Sequence, residues 1–360
     1  MAKNPLWELH QYGQSLWLDN IRRGLIASGE LARMIEEDGI VGVTSNPTIF
    51  EKAIGGSTDY DAAMRALVDQ GLNADQILEA LIFEDIRLAT DLLRPLYERS
   101  EGRDGFVSIE VSPHLAHDTQ ATTEQARRYW RAVDRPNLMV KVPATPEGLP
   151  AIQRLTAEGI NVNITLLFSI ERYAEVMEAY LSGLEQRIAE GQPVTHIASV
   201  ASFFVSRVDT AVDRRLEALL RGVEDPLQKE QLQELLGRAA IANAKEAYQR
   251  FKRVFTSARF AALREKGARV QRPLWASTST KNPNYRDTLY LEELIGPDTV
   301  NTLPHQTILA FKDHGVVRGV TLEDDLDTAR ESLDVYGPKI LVCGKQKRST
   351  SGSSPSAWVG

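Results

Sequence analysis

Cysteine is nearly absent: Cys343 is the only one in 360 residues. One thiol excludes an intrachain disulfide and any multi-cysteine metal site. Histidine is also scarce. Of six, only His114 and His117 stand close together. Without carboxylates at ligand spacing they read as loop or helix-start residues, and no metal is expected. No apolar run approaches the roughly 20 residues of a membrane span. The segment Met1 to His10 lacks a basic stretch followed by an apolar core, so no secretory signal is visible and a reducing cytoplasm is the expected setting. Positive charge is in the minority, 42 basic against 49 acidic residues for a formal −7, which argues against a general nucleic-acid binder. Missing too is any G-x-G-x-x-G, the usual mark of a dinucleotide site in an open doubly wound sheet. What remains, 42% hydrophobic and 25% charged, is ordinary for a globular protein.

Strand-like runs recur along the chain at 15–19, 40–47, 106–111, 138–145, 160–168, 196–204, 273–278 and 299–303. Helical patterns lie between them. Ser28 is a plausible N-cap before Leu31, Met34 and Ile35, and two patterns fill 59–70 and 74–100, where Pro95 is placed to kink or divide the second. Thr122-Thr123-Glu124-Gln125 has the form of a capping box opening a helix through Val133. Further helices are expected over 147–158, 169–189, 208–221, 227–265 (one or two) and 307–313, with a last one capped near Thr321 and ending about Leu333. Eight strands alternating with helices imply right-handed crossovers and a parallel sheet. The expected fold is a (β/α)8 TIM barrel, a single domain with extra helices over 1–335. Residues 336–360 are set apart; 345–360 are polar, small and aperiodic, the composition of a disordered tail, and Ile340-Leu341-Val342 has no assigned place.

The most informative run is Leu138-Met139-Val140-Lys141-Val142-Pro143. A lysine in an apolar strand pairs with a carboxylate, reaches water at the strand end, or gives up its proton. In the last case it is a nucleophile able to form a Schiff base with a carbonyl substrate. In a barrel, groups at the C-terminal strand ends face one mouth. Those positions offer Asp19, Thr44, Asn46, Glu110, Lys141, Asn163, Thr165, Ser202 and Ser277, with Arg207, Ser279 and Lys281 in the loops just beyond.

Several of these runs carry a resemblance. Gly42-Val43-Thr44-Ser45-Asn46-Pro47-Thr48-Ile49-Phe50 resembles the transaldolase signature, and Val140-Lys141-Val142-Pro143-Ala144-Thr145 is similar to that family's Schiff-base lysine motif. Gly159 to Ser169, Val107 to Val111 and Ala201 to Asp209 match further motifs in order, so that roughly 12–334 are covered. The resemblance implies an enzyme that moves a dihydroxyacetone unit between sugar phosphates, in the non-oxidative pentose phosphate pathway, without a metal or other cofactor. It implies Lys141 as Schiff-base lysine, Asp19 as base at the C4 hydroxyl, Glu110 as proton shuttle and Thr165 as the group orienting the shuttle water. Thr44, Asn46, Asn163 and Ser202 are then expected at the sugar, with Arg207, Ser277 and Lys281 at the phosphate. The expected partners are small-molecule sugar phosphates, with no nucleic acid or membrane, for a monomer or homodimer. Two features depart from the pattern. Lys281 stands in the seventh loop where an arginine soon after the serine is usual. Beyond about Asp334 the expected terminal helix gives way to the low-complexity tail.

Overall fold

The computed structural model describes residues 4–341, with side chains described through 335. Eight parallel strands close into a barrel in sequence order: β1 Gln14–Asp19, β2 Ile40–Thr44, β3 Phe106–Glu110, β4 Leu138–Pro143, β5 Val162–Leu167, β6 Ser199–Phe204, β7 Gln271–Ala276 and β8 Thr299–Leu303. β8 pairs back onto β1, so no strand is left with an open edge. The expected (β/α)8 barrel is the fold.

A closed barrel has two cores. Outward-facing strand residues such as Val107, Val140, Ile164 and Phe203 pack beneath the ring of helices. Inward-facing ones, among them Trp17, Phe106, Met139, Val200, Leu274 and Val300, fill the lumen. Gly42 belongs to this inner packing: a Cβ there would stand 2.6 Å from the Trp17 indole. The opposite end is closed by buried polar groups, with Arg272 donating to Ser15 Oγ at 2.8 Å and to Asp104 Oδ1 at 3.0 Å.

Several element boundaries differ from the sequence expectation, each for a local reason. Gly29, not Ser28, caps helix Glu30–Glu37, in the left-handed region at φ 75°. The helix over Thr119–Val133 starts from Asp118, whose carboxylate accepts from Ala121 N at 2.9 Å. Thr122 and Thr123 lie inside it, their hydroxyls spent on the carbonyls of Leu115 and Thr119. Helix Ala74–Arg99 runs unbroken through Pro95, which falls near its last turn, where few i−4 bonds follow. The 227–265 stretch holds three helices, Pro226–Glu234, Ala239–Phe255 and Ala258–Glu265, and the first has no buried residue. Four α-helices were not expected: Pro5–Gln11 and Pro47–Gly55, each with proline at its first position behind an asparagine cap, and the short Arg23–Ala27 and Leu289–Glu293. At the other end, a 3-10 turn at Thr321–Glu323 precedes helix Leu326–Leu341, which packs on Ala239–Phe255. That helix runs across 335/336 and takes in the backbone of Ile340 and Leu341; the expected tail at 345–360 lies outside the described residues. Among the described residues no helix is long and apolar enough to cross a membrane.

Candidate active site

The two-residue period of a strand turns the lumen into a rule for the mouth. Two positions beyond Trp17 is Asp19, beyond Gly42 Thr44, beyond Met139 Lys141, beyond Val200 Ser202, and beyond Val300 Thr302. Phe106 leads to Ser108 and then Glu110 in the same way. Register aligns them laterally: Glu110 pairs with Lys141, Lys141 with Asn163, and Asp19 with Thr44. Apolar layers below therefore end in one polar ring at the C-terminal face, where barrel enzymes keep their chemistry.

Lys141 is buried, 7% exposed, and its Nζ stands 3.0 Å from Glu110 Oε2. A long bond of 3.4 Å runs from the same nitrogen to the carbonyl of Ser45. Of the fates open to a lysine in an apolar strand, pairing with a carboxylate is the one observed. Beside it lies a buried relay: Ser202 Oγ donates to Asn163 Oδ1 at 2.7 Å, and Asn163 Nδ2 donates to Ser108 Oγ at 3.0 Å. Thr165 is buried two residues beyond Asn163, and its hydroxyl makes no hydrogen bond to another described residue. One residue further, β5 bulges. Ile164 pairs with Ala201 and Leu167 with Phe203, so β5 spends one extra residue, and Leu166 takes a left-handed φ of 62°. The bulge ends the inward alternation at Thr165.

Asp19 closes the ring from the other side. Thr44 Oγ1 donates to its Oδ1 at 2.8 Å and lies 2.6 Å from Thr302 Oγ1. Burial raises the Asp19 carboxyl above its ordinary range; the positive charge of Lys141, the Thr44 bond, and the charges of Lys281 and Arg207 pull it back in part. Asn46 is partly spent on the backbone, since its Oδ1 caps helix Pro47–Gly55 through Ile49 N at 3.0 Å.

The cations stand over the β6 and β7 ends. Arg207 is exposed in the first turn of helix Ser206–Leu220, its guanidinium 5.2 Å from the Phe204 ring, which itself meets Phe168 at 5.1 Å. Across from it Ser277, at φ 56°, places its Oγ 2.9 Å from Ser206 Oγ and accepts Ser206 N through its carbonyl at 3.0 Å. Lys281 donates to Ser279 Oγ at 2.8 Å. Burial, and then the charge of Arg207, lower its ammonium pKa, while Asp19 opposes the shift. Neither Arg207 nor Lys281 forms an ion pair with a described carboxylate. Two cations without acid partners thus share one side of the mouth.

Every site residue expected from the sequence lies on this face. Ser45, Ser108, Thr302, Phe168 and Phe204 were not expected there. Thr302 follows from the same strand-end rule; the Ser45 carbonyl and the aromatic pair carry no sequence signal. His117 Nδ1 lies 3.2 Å from Glu147 Oε2, and no group of three or more potential metal ligands occurs among the described residues.

Comparison with known proteins identifies the family. The family model described as transaldolase/fructose-6-phosphate aldolase matches residues 16–339. Transaldolase 2 of Nostoc sp. strain PCC 7120 is 56% identical over 96% of this chain and 94% of its own length. Transaldolase 2 of Nostoc punctiforme is 54% identical over 91% of this chain and 86% of its own. The transaldolase of Trichodesmium erythraeum is 50% identical over 93% and 88%. With the family model spanning nine-tenths of the chain and relatives at this identity, the chain belongs to the transaldolase/fructose-6-phosphate aldolase family.

Proposed function

We propose that Lys141 is the Schiff-base nucleophile of a transaldolase, and that Glu110 and Asp19 divide the proton transfers. The observation that carries this reading is the 3.0 Å contact between Lys141 Nζ and Glu110 Oε2 on the mouth's floor. The reaction moves a dihydroxyacetone unit between sugar phosphates: fructose 6-phosphate plus erythrose 4-phosphate to and from glyceraldehyde 3-phosphate plus sedoheptulose 7-phosphate. Breaking a carbon–carbon bond next to a ketone leaves an electron pair that needs a sink, and an iminium on Lys141 is that sink.

The steps follow from the groups present. Glu110 takes a proton from the Lys141 ammonium, and the neutral amine adds to C2 of the ketose. Glu110, through a water held by Thr165, returns a proton to the carbinolamine oxygen, which leaves as water. Asp19 takes the C4 hydroxyl proton, the C3–C4 bond breaks, and its electrons pass into the iminium to give an enamine. Glyceraldehyde 3-phosphate departs. C3 of the enamine then adds to the aldehyde carbon of erythrose 4-phosphate, Asp19 gives its proton to the new alkoxide, and water releases sedoheptulose 7-phosphate from Lys141. A raised Asp19 carboxyl suits both halves, since it must take up and return one proton.

Asn46, Asn163, Thr44 and Ser202 hold or orient the sugar's hydroxyls, and Arg207, Ser277 and Lys281 hold the phosphate. No cofactor or nucleic acid enters this scheme, and a cytoplasmic monomer or homodimer is the form in which we expect it to run. The test is acceptor dependence. With fructose 6-phosphate alone the enzyme should stall after one glyceraldehyde 3-phosphate per site and resume on adding erythrose 4-phosphate. Continued release of free dihydroxyacetone without acceptor would make it an aldolase instead.

A further inference from the structure

Two buried carboxylates lie outside the chemistry just described. Asp209 and Asp213 sit one turn apart on helix Ser206–Leu220, 1% and 6% exposed. Each accepts one backbone N–H and one tyrosine hydroxyl. Asp209 takes Ala240 N at 2.7 Å and Tyr290 Oη at 2.7 Å; Asp213 takes Gly237 N at 3.0 Å and Tyr285 Oη at 2.8 Å. No described cation pairs with either at ion-pair distance. Both tyrosines belong to the connection between β7 and β8 that also carries Lys281. We propose that Asp209 and Asp213 are positioning residues that, through Tyr290 and Tyr285, fasten the Lys281 loop to the helix bearing Arg207 and so hold both cations at the spacing that the substrate's phosphate requires.

The geometry supports this from both ends of the loop. At its start, Ser277 is bonded to Ser206 through hydroxyl and carbonyl. At its end, Tyr285 and Tyr290 are bonded to Asp213 and Asp209. The three anchoring residues, Ser206, Asp209 and Asp213, lie on the helix whose second residue is Arg207, and Lys281 falls between the anchored Ser277 and Tyr285. Two nearby cations repel, and an untethered loop would relieve that by swinging Lys281 into solvent. A loop held at both ends cannot do so and keeps positive charge converged before the anion arrives. The tyrosine contact is built closely: Gly237 has φ 71°, and a Cβ there would stand 2.8 Å from the Tyr285 ring. Asp209, Asp213, Tyr285, Tyr290 and Lys281 line one cleft of about 200 Å³. Burial raises both carboxyls, Asp209 to about 7, so the arrangement carries a cost that ordinary surface acids avoid.

The inference rests on the reading of Arg207 and Lys281 as phosphate ligands, and the test separates the two. Tyr285→Phe and Tyr290→Phe remove one hydroxyl each and keep the ring. KM for fructose 6-phosphate and the inhibition constant of inorganic phosphate should each rise about tenfold in the double variant, with kcat within twofold, and kcat/KM for unphosphorylated fructose should not move. Rates are expressed per site that accepts a borohydride-trapped adduct, so partial unfolding does not mimic the effect. Asp213→Asn, which keeps an acceptor for Gly237 N and a polar partner for Tyr285, should stay closer to wild type than Asp213→Ala. Equal losses on both sugars, a fall in kcat at constant KM, or no change would overturn the clamp. Arg207→Ala is run alongside. If it narrows the gap between the two sugars while the tyrosine variants do not, the clamp fails and the phosphate reading stands; if it leaves the gap unchanged, the phosphate reading itself fails.

Discussion

Lys141 Nζ lies 3.0 Å from Glu110 Oε2, on strands paired so that the two residues are direct partners in register. The pair is largely shielded, with side chains 9% and 14% exposed, so neither charge can be removed without consequence for the other. Glu110→Gln keeps the shape and a hydrogen-bond acceptor but removes the proton acceptor. Stopped-flow imine formation should slow by about 10²–10⁴-fold, the usual contribution of a positioned acid–base group. Glu110→Ala should in addition lower the denaturant midpoint, because a buried ammonium loses its partner. Wild-type imine formation in Glu110→Gln would remove Glu110 from the shuttle.

Asp19 enters one step later. Asp19→Asn should form the imine at close to the wild-type rate and accumulate it uncleaved, with turnover down by about 10²–10⁴-fold. Mass spectrometry after borohydride should then find the intact six-carbon adduct, whereas wild type gives mostly the three-carbon one. A variant that traps nothing would place Asp19 in imine formation instead.

Asp19 also sets a pH dependence with a definite sign. Burial raises its carboxyl, and the deprotonated form is the base, so the acid limb of kcat/KM in the cleavage direction should lie above the ordinary carboxylate range. Lys281 and Arg207 favour the charged form. Lys281→Met should therefore move the limb to still higher pH, read from the profile between wild type and variant. A limb that moves down, or stays in place, contradicts the electrostatic link between the phosphate end and the base.

Arg207 carries the strongest phosphate prediction. A charge-assisted hydrogen bond contributes roughly 1.5–3 kcal/mol, so Arg207→Ala should lower kcat/KM for fructose 6-phosphate by roughly 10–150-fold and affect unphosphorylated fructose far less. Lys281→Met should cost less than Arg207→Ala, a single flexible ammonium replacing a forked guanidinium. Equal losses on both sugars would make Arg207 a scaffold residue, one whose place is on the Phe204 ring.

Much of the fold and of the site is legible in the sequence, and each exception has a physical reason. Apolar runs with one polar residue near the end, as in Met139-Val140-Lys141, mark both the strand and the inward face, because period two fixes what Met139 implies for Lys141. Ser45-Asn46-Pro47 reads as the strand's polar end, yet Asn46 caps a helix that begins at Pro47. That helix spans 9 residues and is signalled by its cap and by the proline at its first position, both of which also fit a strand's end. The β5 bulge could not be read, since leucine rarely adopts the left-handed φ that Leu166 takes here. Nothing in the sequence marks Asp209 and Asp213 as buried, because spacing says which residues share a face but not which face a distant tyrosine will cover.

The central claim is that Lys141 carries the carbon skeleton through the reaction. Incubation with fructose 6-phosphate, reduction with borohydride, and peptide mass spectrometry test it in a single measurement. The account predicts a reduced three-carbon or six-carbon adduct on Lys141, absent without the sugar and absent in Lys141→Met even at saturating substrate. An adduct on any other lysine, or turnover of fructose 6-phosphate by Lys141→Met with nothing trapped, would contradict it.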